Sequence, residues 1–434
     1  MKRLTCDVLV IGSGPAGLAA AYQARQCGAR DVLVLERNNE LGGILPQCIH
    51  NGFGVRVFQS DLTGPEYVSR WVRLASEAGV RFLTRTMVLS IEQGKRVIAT
   101  GGAEGLCEIE PTTLILAMGC RERPRGALAI PGARPAGIYT AGTAQRLVNI
   151  EGYMPGERYV ILGSGDIGMI MARRLTLEGA HVAAMCEILP YISGLRRNLV
   201  QCVRDYDIPL HLSTTVIDVA GRERVESVTL AQVDARWRPI PGTERVLPCD
   251  TLLLSVGLIP ENELSRMAGV SIDPVTGGPY VDQYCATNVP GVYAAGNVVH
   301  VYDLVDDVTA SALRAGHCAA ACACGTGPAG AQTVSVIAGD NVHHIVPQRL
   351  RLPLATAEGG DSAPALEFRV RQPVEQAVHV QVSAGGEVLA SQRLRYVRPS
   401  EMVKVELRAE WIERLAQAGS VRVDIVQAPG APVS

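Results

Sequence analysis

Aromatic side chains are scarce: Phe, Trp and Tyr make up only 4% of the 434 residues, too few for the stacked platforms on which single-stranded nucleic acids lie. No charge sign dominates either. Lys and Arg total 41 against 43 Asp and Glu, a net charge of −2, so no basic field draws nucleic acid or an anionic membrane. No run of about 18 consecutive apolar residues occurs, which excludes a transmembrane helix. The opening MKRLTCDVLVIGSG is basic and then apolar, but it breaks at Gly12, Gly14 and Pro15 without a small-residue cleavage site, and it reads as a strand rather than a signal peptide. The twelve cysteines contain no CxxC pair. That argues against a disulfide scaffold or a metal centre and for reduced thiols, hence a cytoplasmic location. The length exceeds what one core usually supports, so two or three domains are expected.

Two nucleotide signatures are present. Residues 6–37 read CDVLVIGSGPAGLAAAYQARQCGARDVLVLER: an apolar strand, a turn with Gly12, Gly14 and Gly17 around Pro15 and Ala16, a helix of small residues, and a second strand ending at Glu36 and Arg37. Such a turn lets the backbone approach a pyrophosphate closely and packs helix on strand. The helix N-terminus presents amide groups to the phosphates, and the acid at the strand end is placed to accept hydrogen bonds from ribose. The second copy, YVILGSGDIGMIMARRLTLEGAHVAAMCE from Tyr159, carries Gly163, Gly165, Ile167 and Gly168, and Glu187 follows at the same spacing. An acid there favours NAD over NADP. Asp166 departs from the pattern, since a carboxylate inside the turn would repel a pyrophosphate. Capping of its own helix is the plainer reading.

Between and after the copies lie buried strands ending in glycine, TTLILAMG at 112–119 and DTLLLSVG at 250–257, then TNVPGVYAAGN at 287–297. With these motifs in this order the sequence resembles the two-dinucleotide-domain flavoprotein superfamily that includes glutathione, thioredoxin and nitrite reductases. The resemblance covers residues 1 to about 328 and implies an α/β fold: two doubly wound Rossmann-like domains, the NAD-type domain inserted in a discontinuous FAD domain. Residues 1–122 and 251–328 would bind FAD through Gly12, Gly14, Pro15, Ala16, Gly17, Glu36, Arg37, Gly43, Gly119, Gly296 and Asn297. Residues 123–250 would bind NAD through Gly163, Gly165, Ile167, Gly168 and Glu187, with Gly257 following. Asn297 stands where the family carries Asp.

The strings LGGILPQCIHNGFG, AMGCRERPRGALAIPG and AAGNVVHVYDLVD are further similar to bacterial NAD(FAD)-dependent dehydrogenase-like proteins that accompany a glycerol-3-phosphate-dehydrogenase-like flavoprotein and a small cysteine-rich, iron–sulfur type subunit. They also resemble the FAD subunits of opine oxidases and hydrogen cyanide synthases. The resemblance implies an electron-transferring subunit of an oligomer or hetero-complex. Two alternatives stay open: a relay or assembly subunit whose second dinucleotide site is empty, and a self-contained small-metabolite (amino acid or opine) dehydrogenase.

Disulfide reductases of this type keep a C-x4-C pair after the LGG motif; here those positions are Leu45 and His50, with the single Cys48 between them. Substrate disulfide reduction is thereby disfavoured, since exchange needs two thiols within bridging reach. Cys48 and His50 read first as structural residues, next as a thiol and imidazole against the flavin, and only distantly as metal ligands. Asp306 and Asp307 fall at the start of a helix that the resemblance aims at the flavin; they read as caps, or as a carboxylate tuning the ring, with Asp307 the catalytic candidate. His300 and Tyr302 lie on the same loop. Cys318, Cys322 and Cys324 sit at helical spacing among alanines and read as packed thiols. Arg121, Arg123 and Arg125 are either an anionic-ligand or partner surface or a solvated turn.

After a Gly/Ala/Pro linker at about 325–332, segments LEFRVRQ, AVHVQVSA, VLASQRLRYV, MVKVELRA and VRVDIV alternate apolar and polar residues, as half-buried antiparallel strands do. Residues 333–434 read as a small β-sandwich whose expected role is contact with a partner subunit.

Overall fold

The computed structural model describes residues 2–92, 95–102, 105–327, 332–352 and 364–427. The centre of the predicted linker, 328–331, and the last residues of the expected C-terminal region, 428–434, lie outside the described residues. The chain folds as two compact units, residues 1–120 with 260–434 and residues 121–259.

The first unit begins with β1 (Lys2–Ile11), α1 (Pro15–Gln26), β2 (Val32–Leu35), α2 (Gly64–Glu77), β3 (Arg81–Leu83), β4 (Thr86–Ile91), β5 (Val97–Gly101) and β6 (Gly105–Leu116). Their sheet runs β3-β2-β1-β6-β5-β4. The β1, β2, β3 and β6 pairings are parallel, whereas β4, β5 and the start of β6 pair antiparallel. Val8, Leu9 and Val10 are fully buried, as an apolar strand covered on both faces requires.

The second unit repeats the pattern. It holds β7 (Ile138–Thr140), α3 (Ala141–Asn149), β8 (Arg158–Leu162), α4 (Asp166–Leu177), β9 (His181–Cys186), α5 (Arg196–Cys202), β10 (Leu210–His211), β11 (Thr214–Ala220), β12 (Ser227–Gln232), β13 (Arg245–Pro248) and β14 (Thr251–Leu254). A parallel sheet runs β7-β14-β8-β9-β10 beside an antiparallel β11-β12-β13 sheet.

On returning to the first unit, the chain adds β15 (Val292–Ala294) parallel to β6 and then α6 (Val305–Ala323). Helix α6 packs on α1 through small residues: Ala16, Ala19, Ala20 and Ala24 share a core with Ala312, Ala315, Ala319 and Ala320. A Cβ on Gly316 would stand 2.2 Å from the Ala20 carbonyl, so the two backbones touch where no side chain fits. Cys318 lies in this core. The alanine-rich cysteine run is therefore packing at that position, and among the described residues no group of His, Cys, Asp or Glu is arranged to hold a metal ion. No described helix is long and apolar enough to cross a membrane.

The C-terminal region comprises β16 (Gln332–Ala338), β17 (Val342–Val346), β18 (Arg349–Leu352), β19 (Ala365–Val370), β20 (Val378–Ala384), β21 (Glu387–Leu394), β22 (Val403–Glu406), α7 (Ile412–Ala418) and β23 (Ser420–Gln427). Two sheets, β18-β16-β23-β20-β21 and β17-β19-β22, enclose one core containing Phe368, Val380, Leu415 and Val423. The five predicted segments are strands. Strands β16 to β18 and helix α7 were not anticipated.

On β17, burial together with the neighbouring His300, His343 and Arg369 pushes the His344 imidazole down from 6.5 to about 3. Its folded value lies below the unfolded one, so folding expels a proton. The stability carried by neutral His344 is complete above pH 6.5 and is lost as pH falls from there toward 3. A thermal melt should therefore drop between about pH 7 and about pH 5, and His344→Gln should flatten that drop. An unchanged slope in the variant would refute the assignment.

Candidate functional site

In each unit a tight turn joins the first strand to the first helix. Gly12 has φ +99° and Gly163 φ +96°, a region closed to most L side chains. A Cβ on Gly17 would stand 1.8 Å from the Gly12 carbonyl oxygen, and one on Gly168 would stand 3.2 Å from the Gly163 carbonyl oxygen and 2.6 Å from Ser255 Cβ. Helices α1 and α4 thus lie directly on their turns, and their leading amides lack intrahelical acceptors. Pro15 opens α1 at the position where no amide hydrogen is needed, while Ala16 is buried and Ile167 half-buried.

A buried carboxylate holds each turn to the next strand. Glu36, only 5% exposed, accepts from Ser13 N at 3.0 Å and Ser13 Oγ at 2.6 Å with one oxygen, and from Asn38 N at 2.8 Å with the other. Glu187 repeats the arrangement with Ser164 N at 2.9 Å, Ser164 Oγ at 2.6 Å and Leu189 N at 3.1 Å. Sequence spacing placed these acids at the ribose but missed the serines, although both turns read Gly-Ser-Gly. Each carboxylate keeps lone pairs for further donors. Arg37 is exposed beside the first.

The loops that follow return to the turns in parallel fashion. Gly42 N donates to the Ser13 carbonyl at 2.9 Å, and a Cβ on Gly43 would lie 3.0 Å from Gly14 Cα. Ser193 N donates to Ser164 Oγ at 2.9 Å. Asp166 is the first residue of α4 but does not cap it. Its Oδ1 accepts from Leu195 N at 2.9 Å and Asn198 Nδ2 at 2.6 Å, donors 29 and 32 residues away in sequence. The capping expectation is corrected: the carboxylate is engaged by the α5 segment.

Two further segments meet the first turn, since a Cβ on Gly12 would also stand 2.5 Å from the Ala117 carbonyl oxygen. A Cβ on Gly296 would lie 2.7 Å from the Ala16 Cβ, which brings the residues after β15 against the start of α1. Asn297 Oδ1 accepts from Tyr302 N at 3.1 Å, and its Nδ2 lies 3.7 Å from Cys120 Sγ. Gly119 ends its strand region with positive φ, and within the second unit Gly257 does the same. Cys48 is buried in the core formed with Leu45, Tyr67 and Ala16. Its Sγ lies 3.5 Å from the Ile44 carbonyl, and burial pushes the thiol up to about 12. At neutral pH it is a protonated thiol rather than a nucleophilic thiolate. His50 is half-buried, lies 3.0 Å through Nδ1 from the Asn51 carbonyl oxygen and packs 5.0 Å from the Phe53 ring.

Neither acid of α6 caps that helix. Asp307, the candidate catalytic carboxylate, is ion-paired to Arg56 at 3.0 Å and Lys404 at 2.8 Å. Asp306 is the neighbour with spare capacity: one oxygen accepts from Arg56 N at 3.1 Å, and the other is buried without a hydrogen-bond partner among the described residues. Such an oxygen seeks a donor. His300 is buried with Tyr302 at 4.2 Å between ring centroids. Arg125 donates to the carbonyls of Ala133, Ile130 and Pro131, so it organises its own turn.

The first turn fits an FAD pyrophosphate: nothing stands within 4 Å of the Gly14 Cβ direction, the helix end faces that space, and the buried acid is in place. The second turn has the same frame, with Asp166 held by donors. Two such turns define a protein built to hold two dinucleotides. The chain belongs to the pyridine nucleotide-disulphide oxidoreductase family, whose model matches residues 6–321. Members of this family are FAD-dependent oxidoreductases that use FAD and NAD(P). The chain is 29% identical over 67% of its length to an opine oxidase subunit of Agrobacterium tumefaciens and 24% identical over 62% to the hydrogen cyanide synthase subunit HcnB of Pseudomonas protegens. It spans 61% and 60% of those relatives' own lengths. Thioredoxin reductase of T. acidophilum shares the fold, with a TM-score of 0.59 and 21% identity over 72% of this chain and 96% of that one.

Gly17→Val should abolish FAD retention, read as flavin absorbance of the purified protein, because its Cβ has no space beside the Gly12 carbonyl; normal flavin content in the variant would contradict the packing. In the folded protein near neutral pH, thiol alkylation followed by mass spectrometry should modify exposed Cys324 well before Cys48. Rapid labelling of Cys48 would overturn its protonated, packed state.

Proposed function

We propose that the protein is the FAD subunit of a multi-component dehydrogenase, moving electrons between NAD(H) and a partner redox centre or small-metabolite substrate without a redox-active disulfide. The paired Ser–Glu turns carry this reading. Two independent dinucleotide frames occur in one chain, while Leu45 and His50 stand at the positions of the usual dithiol and the single cysteine between them, Cys48, is buried and protonated. FAD supplies the hydride and electron chemistry when bound. In this reading the first turn, from Gly12 to Gly17, binds its pyrophosphate, with Glu36 and Arg37 at the adenosine ribose, Gly43, Gly119, Gly296 and Asn297 lining the approach, and Cys48 and His50 shaping the pocket wall. Gly163, Gly165, Ile167, Gly168 and Glu187 bind NAD, with Gly257 closing the strand end beside them. The buried carboxylate of Glu187 disfavours a 2′-phosphate. The division into residues 1–122 with 251–328, 123–250 and 333–434 belongs to the same proposal.

The opine oxidase and hydrogen cyanide synthase relatives are both named as subunits, which supports a hetero-complex. Its partner in this reading is a second flavoprotein or an iron–sulfur subunit, and a glycerol-3-phosphate-dehydrogenase-like assembly is one form of it. A cytoplasmic setting goes with this reading. One observation favours a second reading, a relay subunit that binds no NAD: Asp166 keeps a carboxylate at the first residue of α4. Its two donors, Leu195 N and Asn198, draw that charge toward α5, which supports the first reading.

Anaerobic titration with NADH decides between them. Flavin absorbance should bleach at or below about millimolar NADH, and Gly168→Val should lose the bleaching while keeping FAD. No bleaching in the wild type would sink the NAD-linked version.

A further inference from the structure

The C-terminal sheets lie beyond the span that matches the family, yet they reach the first dinucleotide site through a specific set of charges. Lys404 on β22 places its Nζ 2.8 Å from Asp307 Oδ1 and 2.6 Å from Glu367 Oε1. Asp307 Oδ1 also meets Arg56 Nη1 at 3.0 Å, and the Arg56 backbone amide donates to Asp306 at 3.1 Å. Glu367 on β19 lies 3.5 Å from His300 Nε2. Beside this cluster Arg369 pairs with Asp303 and donates to the Val301 carbonyl at 3.1 Å, and Met402 N donates to Asp303 Oδ2 at 2.7 Å.

The charges are unequal. Two cations, Arg56 and Lys404, face three carboxylates, Asp306, Asp307 and Glu367. Lys404 bridges Asp307 and Glu367, carboxylates from different segments, and comes from the C-terminal sheet. Without it, Asp307 would keep Arg56 alone and Glu367 only the His300 imidazole, and like charges in a partly desolvated site repel. The loop so held, around residues 49–57, follows directly from the Gly42–Cys48 segment that abuts the first turn, and α6 follows the Gly296–Asn297 segment that abuts Ala16.

We propose that Lys404 is a positioning residue of the first dinucleotide site: through Asp307 and Arg56 it fixes the 49–57 loop against the start of α6, making the C-terminal sheet a working part of that site. The inference rests on reading the first turn as the FAD site. Bulk sheet adhesion would not require this bridge, because hydrophobic contact has no need of a cation shared between two carboxylates from different segments.

The test uses the full chain as Lys404→Met, Lys404→Arg and, from the loop side of the bridge, Arg56→Met. Arg414→Met, which breaks an exposed pair with Glu387 elsewhere on the C-terminal region, is the control. Hydrogen exchange of peptides covering 49–60 should speed up about tenfold in Lys404→Met. The flavin midpoint potential should shift in the same variant, since the 49–57 loop that follows the segment abutting the first turn is loosened. Lys404→Arg should restore both, and the control should move neither. If Lys404→Met does not fold, Arg56→Met decides, because it should loosen 49–60 and leave exchange in the C-terminal sheets unchanged. Unchanged exchange at 49–60 in a folded variant, or a gain confined to the C-terminal sheets, overturns the proposal. A wild-type protein that binds no FAD would instead overturn the reading of the first turn, and the exchange result would still decide whether Lys404 positions the loop.

Discussion

The structure depends on a carboxylate buried at the end of a strand. An ionised Glu in an interior is costly unless donors surround it, and both Glu36 and Glu187 are met by a serine amide, a serine hydroxyl and a later backbone amide. Those bonds are charge-assisted, the stronger kind. They fix the glycine turn to the neighbouring strand, so the helix start and the strand end point at one space. The glycines make the turn sterically feasible, and the carboxylate keeps it in register.

A second constraint governs the first unit. Helices α1 and α6 pack through alanine and glycine, and this close approach brings the segment after β15 to the start of α1. The first site is thus assembled from segments nearly 300 residues apart in sequence, without a large side chain at the helix contact. In such a setting the functional weight falls on small residues and backbone amides, in keeping with the scarcity of aromatics. The lone Cys48 belongs to that packing.

Much of this was legible in sequence because it is local. Gly-x-Gly-x-x-Gly, the small-residue helix and the acid at fixed spacing all fall within about thirty residues, and steric rules alone tie them to one geometry. The alternation in residues 365–427 was equally readable, since β19, β20, β22 and β23 each bury one face. Strand β16 escaped notice because Val334 is its one buried residue and it pairs in parallel with β23, a partner more than eighty residues later. Helix α7 is barely two turns long and carries too little periodic signal.

The sequence by itself determined that two dinucleotide turns exist, that an acid terminates each, and that the usual dithiol is missing, because each depends on a short pattern whose backbone geometry is self-contained. Only the tertiary structure decided what the isolated charges do. Asp166 is turned toward Leu195 and Asn198, Asp307 is shared between Arg56 and Lys404, and Asp306 keeps one buried oxygen in reserve. A carboxylate's role follows from which donors stand within about 3 Å of it, and donors brought from remote strands and loops leave no trace in the residues beside it.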